Sequence, residues 1–91
     1  MKYTLQFSPR AMADLERIKK SGDQARIKKL RIILEELTEH PLTGIGNPER
    51  LKYRANTYSR RLTNKDRVVY SVFESIVEVS ILQMVGHYDD K

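Results

Sequence analysis

Hydrophobic and polar residues alternate at the start of the chain. Residues 2–7 carry an apolar side chain at every second position: Tyr3, Leu5 and Phe7. Because successive side chains of a strand point to opposite faces, this spacing predicts a β-strand with one apolar face. At Ser8-Pro9 the strand ends, since serine is suited to cap a helix and proline to occupy its first turn.

The apolar spacing then changes to the period of an α-helix, twice. The two apolar stripes are Met12, Leu15 and Ile18, and then Ile27, Leu30, Ile33, Leu34 and Leu37. Ser21-Gly22 ends the first helix and Asp23 is placed to cap the second. His40-Pro41 ends the second, because the residue before a proline avoids the helical region. We therefore predict a helical hairpin.

Residues 41–48 (PLTGIGNP) contain two prolines and two glycines, which is typical of a loop. After it the spacing returns to that of strands, which we predict near 49–53, 58–63, 67–73 and 76–84. Turns are expected at residues 64–66 and 74–75. The predicted fold class is α+β with the order β-α-α-β-β-β-β, in which two helices pack on one face of a mostly antiparallel sheet.

The length of 91 residues is enough for one small core. We predict one domain over residues 1–88 and a short C-terminal tail at 89–91. The chain has no cysteine, so thiol nucleophiles, disulfides and thiolate metal sites are excluded. With His40 and His87 as its sole imidazoles, we do not expect a structural zinc site, since such sites are built mainly from cysteine and histidine. No signal peptide or membrane-spanning run is apparent, so we expect a cytoplasmic protein that does not bind membranes.

The formal net charge of +5 is distributed unevenly. Residues 41–73 contain seven lysines and arginines but, as acidic residues, Glu49 and Asp66 alone. A basic excess of this kind favours a polyanionic partner such as RNA. A basic surface that serves solubility alone fits the charge equally well.

The second half of the chain holds the candidate chemistry. Glu49 follows the loop, Arg67 begins a predicted strand and His87-Tyr88 follows the last one. Cleavage of an RNA phosphodiester without metal needs a base, an acid and positive donors aimed at the phosphate. Arg60 and Arg61 alternate faces, so at most one of them serves such a site. The simpler interpretations are a surface ion pair for Glu49 and a solvated side chain for His87. His40, at the end of a helix, is interpreted as structural.

Three segments in the same order resemble a known family. They are PLTGIGNPERLK, YSRRLTNKDRVVY and the terminal HY, and the family is the YoeB/Txe branch of the RelE toxin superfamily. The resemblance implies a microbial-ribonuclease-like α+β fold and cleavage of messenger RNA in the ribosomal A site. It also implies a cytoplasmic toxin paired with an acidic antitoxin of the YefM/Phd type, able to dimerise and using no metal or other cofactor.

The resemblance also implies residue roles. Glu49 matches the general base, His87 the general acid, Arg67 the group that stabilises charge on the phosphate, and Tyr88 a residue that places the substrate. Basic residues that would hold the RNA backbone are Lys52, Arg60, Arg61 and Lys65, of which Arg61 is the better candidate for the scissile phosphate.

The sequence departs from the family pattern at three places. Tyr58 stands where tryptophan is usual, and the chain continues for three residues past Tyr88. Asp66 replaces a histidine, which puts a carboxylate beside Arg67, where it would either orient the guanidinium or weaken its charge. Two other functions stay open at this point: a gyrase inhibitor of the ParE type on the same fold, and an RNA-binding module without chemistry.

Overall fold

The computed structural model describes residues 2–86. Its elements follow the predicted order, with one short 3-10 helix added before the last strand. They are β1 (Thr4–Phe7), α1 (Pro9–Ser21), α2 (Gln24–Glu39), β2 (Glu49–Arg50), β3 (Thr57–Arg61), β4 (Arg67–Phe73), the 3-10 helix (Glu74–Ile76) and β5 (Glu78–Gln83). Among these residues, no helix is long and apolar enough to cross a membrane.

The two helices begin and end at the predicted residues. Ser8 caps α1 through its side chain, which accepts a hydrogen bond from the N–H of Ala11, and Asp23 does the same for α2 through Arg26. Gly22 ends α1 in the left-handed conformation with φ of 72°, which glycine adopts without strain. The helical hairpin is thus confirmed.

Five strands form one mixed sheet in the order β1-β5-β4-β3-β2. β1 pairs with β5 in parallel, and the other three pairings are antiparallel. The core lies between the helices and one face of this sheet: Ala11, Ile18, Leu30, Ile33, Leu37, Leu62, Val68, Tyr70, Val72, Val79, Ile81 and Met84. The predicted α+β class, with two helices against a mostly antiparallel sheet, is confirmed.

The strand bounds differ from the predicted ones. β2 has two residues, Glu49 and Arg50, of the predicted 49–53. Leu51 still donates its N–H to the Thr57 carbonyl at 2.9 Å, and the chain then turns at residues 52–53. The last strand starts at Glu78 rather than at 76, since Glu74–Ile76 forms a helical turn and Val77 takes a positive φ of 52°. Met12, which belongs to the apolar stripe predicted for the first helix, is 49% exposed, whereas the neighbouring Ala11 is buried.

Candidate active site

Three of the predicted site residues line one small polar cavity on the sheet. The cavity, of about 60 Å³, is lined by Gly46, Asn47, Glu49, Ser59, Arg61 and Arg67. Glu49 comes from β2, Arg61 from the end of β3 and Arg67 from the start of β4. Side chains from three adjacent strands and the loop before β2 therefore meet at one point.

Strand register explains the convergence. Glu49 is the partner of Ser59 across β2 and β3, and Arg61 is the partner of Arg67 across β3 and β4. Ser59 and Arg61 are two residues apart on β3 and so share a face. Like charges directly opposite one another are unfavourable in a sheet. The Arg61–Arg67 pair therefore favours an anion bound between the two guanidinium groups.

The loop before β2 holds Glu49 in place. Asn47 donates a hydrogen bond from Nδ2 to Glu49 Oε1 at 3.1 Å, and Arg61 donates its backbone N–H to the carbonyl of Gly46 at 2.6 Å. At Gly46, φ is 83° and a Cβ would lie 2.7 Å from the Arg61 carbonyl oxygen, so this position requires glycine. Asn47 and Ser59 were not predicted as site residues, since nothing local in the sequence marks them.

The Arg67 side chain is anchored at one end. Its Nη1 donates to the carbonyl oxygens of Thr63 at 2.8 Å and Asp66 at 3.1 Å, in the turn between β3 and β4. Its backbone N–H donates to the carbonyl of Gly86 at 3.0 Å, so the segment after β5 runs directly beside it. The anchored guanidinium lines the cavity.

Arg60 is on the opposite side of β3, and its predicted contact with RNA was wrong. Its side chain is completely buried. Nη1 pairs with Glu36 Oε1 at 2.6 Å, Nε donates to the Tyr70 hydroxyl at 3.0 Å, and Nη2 donates to the carbonyls of His40, Pro41 and Thr43. Arg60 therefore has no exposed atoms that a phosphate could contact. The prediction that Arg60 and Arg61 face opposite sides is confirmed, and Arg61 is the exposed one.

Lys52 and Lys65 are exposed and lie outside the cavity lining. Lys65 is in the turn before Arg67, and Lys52 is in the turn that follows β2. Their predicted contacts with the RNA backbone would extend the basic surface beyond the cavity. His87 and Tyr88 fall outside the residues that the structure describes.

Asp66 does not interact with the Arg67 guanidinium through its carboxylate. Its Oδ2 accepts hydrogen bonds from Arg26 Nη1 at 3.0 Å and Thr63 Oγ1 at 3.1 Å, and its Oδ1 accepts the backbone N–H of Gly86 at 2.9 Å. Burial raises the pKa of Asp66, but the bonds from Gly86, Arg26 and Thr63 outweigh it and hold the pKa below its usual value of 3.8. The carboxylate thus neither orients the Arg67 guanidinium nor is paired with it.

This lowered pKa predicts a pH dependence of stability. A carboxyl group whose pKa is lower in the folded state stabilises the fold fully above its unfolded pKa, and this contribution is lost as pH falls through the folded pKa. We expect the free energy of unfolding of the protein to exceed that of Asp66→Asn by an amount that shrinks as the pH falls below 3.8. Urea titrations of both proteins between neutral and strongly acidic pH measure it; a difference that instead shrinks toward neutral pH would contradict the assignment.

The chain resembles known toxins in sequence and in fold. The model of the YoeB-like toxin of bacterial type II toxin-antitoxin systems matches residues 7–88. Toxin YoeB of Synechocystis sp. is 29% identical over 68 residues, which cover 74% of this chain and 77% of that protein. Archaeal RelE, solved with RelB from Pyrococcus horikoshii, shares the fold at 19% identity, with a TM-score of 0.72 and coverage of 94% of this chain and 96% of that one.

Two solved structures from Staphylococcus aureus align over nearly the whole chain. The YoeB dimer has a TM-score of 0.82 and 30% identity, covering 97% of this chain and 100% of that one. The heterotetrameric YoeB-YefM toxin-antitoxin complex has a TM-score of 0.77 and 31% identity, and it also covers 97% of this chain and 100% of that one. Fold and sequence together define a toxin of a type II toxin-antitoxin system. Within that class, the chain belongs to the YoeB-like toxin family.

Proposed function

We propose that this toxin is a ribosome-dependent endoribonuclease that cuts messenger RNA in the ribosomal A site and so inhibits translation. The observation that carries the proposal is the meeting of Glu49, Arg61 and Arg67 on one cavity. A carboxylate beside two guanidinium groups supplies a proton acceptor next to a phosphate-binding position. The family resemblance supports the same chemistry.

In the proposed reaction, Glu49 accepts the proton of a ribose 2′-OH and the 2′-oxygen attacks the adjacent phosphorus. Arg67 and Arg61 stabilise the negative charge that develops on the phosphate oxygens. The bond from phosphorus to the 5′-oxygen breaks, and His87 donates a proton to that oxygen. The products are a 2′,3′-cyclic phosphate and a 5′-OH, and no metal or cofactor takes part. Tyr88 is proposed to place the substrate.

The basic surface around the cavity fits a polyanion. Arg61 lines the cavity, while Lys52 and Lys65 are exposed outside it. We propose that these lysines contact the RNA backbone, where such contacts would make binding weaken steeply with salt. The ribosome would present the message to this surface.

The proposed regulator is an acidic antitoxin of the YefM/Phd type. The net charge of +5 favours an acidic partner, and the S. aureus relative was solved as a YoeB-YefM heterotetramer. We also propose that the chain can form a homodimer, as the S. aureus YoeB dimer does. Neither partner is needed to build the cavity, whose lining comes from one chain.

The test is an in vitro translation reaction on a defined message, with RNA ends mapped by primer extension in the presence and absence of the toxin. We expect discrete cuts at A-site codons that require ribosomes and leave a 2′,3′-cyclic phosphate on the upstream product. An intact message would overturn the proposal. If gyrase supercoiling were inhibited instead, the ParE-type function would hold; salt-sensitive RNA binding without cleavage would indicate a binding module.

A further inference from the structure

The segment that follows β5 is held by side-chain carboxylates. β5 ends at Gln83, and the next three backbone N–H groups donate to acidic side chains instead of to a strand. Met84 and Val85 donate to Asp14 Oδ2 at 3.0 and 3.2 Å, and Gly86 donates to Asp66 Oδ1 at 2.9 Å. Three successive amides are thus fixed by two carboxylates, one from α1 and one from the turn before β4.

Two carbonyl groups of the same segment are also hydrogen-bonded, by residues close to the two carboxylates in the sequence. Arg10 Nη2 donates to the Val85 carbonyl at 2.9 Å, and the backbone N–H of Arg67 donates to the Gly86 carbonyl at 3.0 Å. All three amides and the carbonyls of Val85 and Gly86 are therefore hydrogen-bonded. The last fixed residue, Gly86, lies beside Arg67 of the cavity and directly precedes His87 in the sequence.

Both carboxylates are themselves fixed. Asp14 is 3% exposed and lies 3.4 Å from Arg10 Nε. Asp66 is 8% exposed and receives bonds from Arg26 and Thr63 on its second oxygen. Burial of a charge is unfavourable unless the charge is paired and hydrogen-bonded, and bonds to ionised acceptors are short and strong. Asp66 is thus held at both carboxylate oxygens and Asp14 at Oδ2, which restricts the positions that the bound segment can take.

We propose that Asp14 and Asp66 are positioning residues for the acid step of the proposed cleavage. They fix Met84–Gly86 against α1 and the turn before β4, and they hold Gly86, the residue that precedes His87 in the sequence, beside Arg67. Neither carboxylate lines the cavity, so each acts through the segment that it holds. The inference rests on the proposed function. It also gives Asp66, where the sequence departs from the family pattern, a role other than pairing with Arg67.

Two substrates distinguish a positioning role in the acid step from a general role in folding. Messages are programmed on ribosomes with either the native linkage at the scissile position or a linkage whose 5′-bridging oxygen is replaced by sulfur. A thiolate leaves without protonation, so the sulfur substrate does not need a general acid. The variants are Asp14→Asn and Asp66→Asn, in which a neutral amide replaces the charged acceptor and weakens the hydrogen bonds to the segment. The matched control is Asp23→Asn. Asp23 also accepts a backbone N–H, that of Arg26 at 3.1 Å, but it caps α2 and is not hydrogen-bonded to Met84–Gly86.

We expect Asp14→Asn and Asp66→Asn to slow cleavage of the native linkage by about 10- to 100-fold, since small misplacement of a catalytic group costs on the order of 10² in rate. Their cleavage of the sulfur linkage should stay close to that of the unmodified toxin, as should that of His87→Ala. Asp23→Asn should match the unmodified toxin on both substrates. Equal losses on both linkages, or no loss on the native one, would overturn the positioning role.

A second variant and a second measurement keep the test independent of folding and of the proposed function. Arg26→Met removes one donor to Asp66 while leaving the acceptor for Gly86, and should show the same selective loss to a smaller degree. Amide hydrogen exchange at Gly86 should become faster in Asp66→Asn but not in Asp23→Asn. Unchanged exchange would overturn the fixing of the segment even if the toxin cut no message, whereas faster exchange in a toxin without nuclease activity would refute the proposed function alone.

Discussion

Replacing Glu49 by glutamine is expected to slow cleavage of ribosome-bound message by about 10²- to 10⁴-fold, the range of a lost general base. Glutamine keeps the size of the side chain and an oxygen that can accept the 3.1 Å bond from Asn47. The substitution therefore removes the ability to take a proton and little else. Single-turnover cleavage with saturating toxin measures the chemical step apart from binding.

The matched control for this substitution is Glu39→Gln. Glu39 is an exposed glutamate at the end of α2, 4.0 Å from Lys2 Nζ, and does not line the cavity. It should leave the cleavage rate and the cut positions unchanged. Wild-type cleavage by Glu49→Gln, with correct folding shown by circular dichroism, would remove Glu49 from the reaction and leave the guanidinium pair as a binding site without a base.

The helices could be predicted from the sequence because their limits are set by neighbouring residues. Ser8 and Asp23 each cap a helix by accepting an N–H three residues ahead, so the whole signal lies within one turn. Strand ends depend on partners far along the chain. In β2, Glu49 and Arg50 alone pair with β3, opposite Ser59 and Tyr58. No local sequence pattern encodes where this pairing ends.

The site was predictable in part for the same reason. Strand alternation required Arg60 and Arg61 to face opposite sides, but it did not say which one faces the helices. Arg60 faces the helices, where it pairs with the carboxylate of Glu36, 24 positions away. Asp66 likewise pairs with Arg26, 40 positions away, rather than with the adjacent Arg67 guanidinium. Long-range ion pairs of this kind follow from the fold and are not visible in a motif.

The buried Arg60 links the core to the loop that carries the candidate base. Its guanidinium contacts three carbonyls of the segment from His40 to Thr43, and its partner Glu36 also accepts the N–H of Ile45 at 3.0 Å through Oε1. Tyr70 supports the same segment by donating its hydroxyl to the Pro41 carbonyl at 3.0 Å. One buried cation therefore fixes the first half of the loop that leads to Glu49.

Arg60→Met is accordingly expected to lower the free energy of unfolding by about 3–5 kcal/mol, the cost of removing one partner of a buried ion pair. Methionine fills much of the same volume but leaves the Glu36 carboxylate, 20% exposed, and the loop carbonyls without their donor. Because small domains are stable by about 5–15 kcal/mol in total, the substitution would remove a large part of that stability. Urea denaturation followed by circular dichroism measures the loss.

The adjacent arginine provides a control that separates folding from chemistry. Arg61→Met changes an exposed side chain of the cavity, so it should alter the free energy of unfolding by less than about 0.5 kcal/mol, as is usual for surface positions. It should nevertheless slow cleavage, because it removes a positive donor to the phosphate. Equal stability of Arg60→Met and Arg61→Met would contradict the structural role of Arg60. Unimpaired cleavage by Arg61→Met would show that Arg67 alone binds the phosphate.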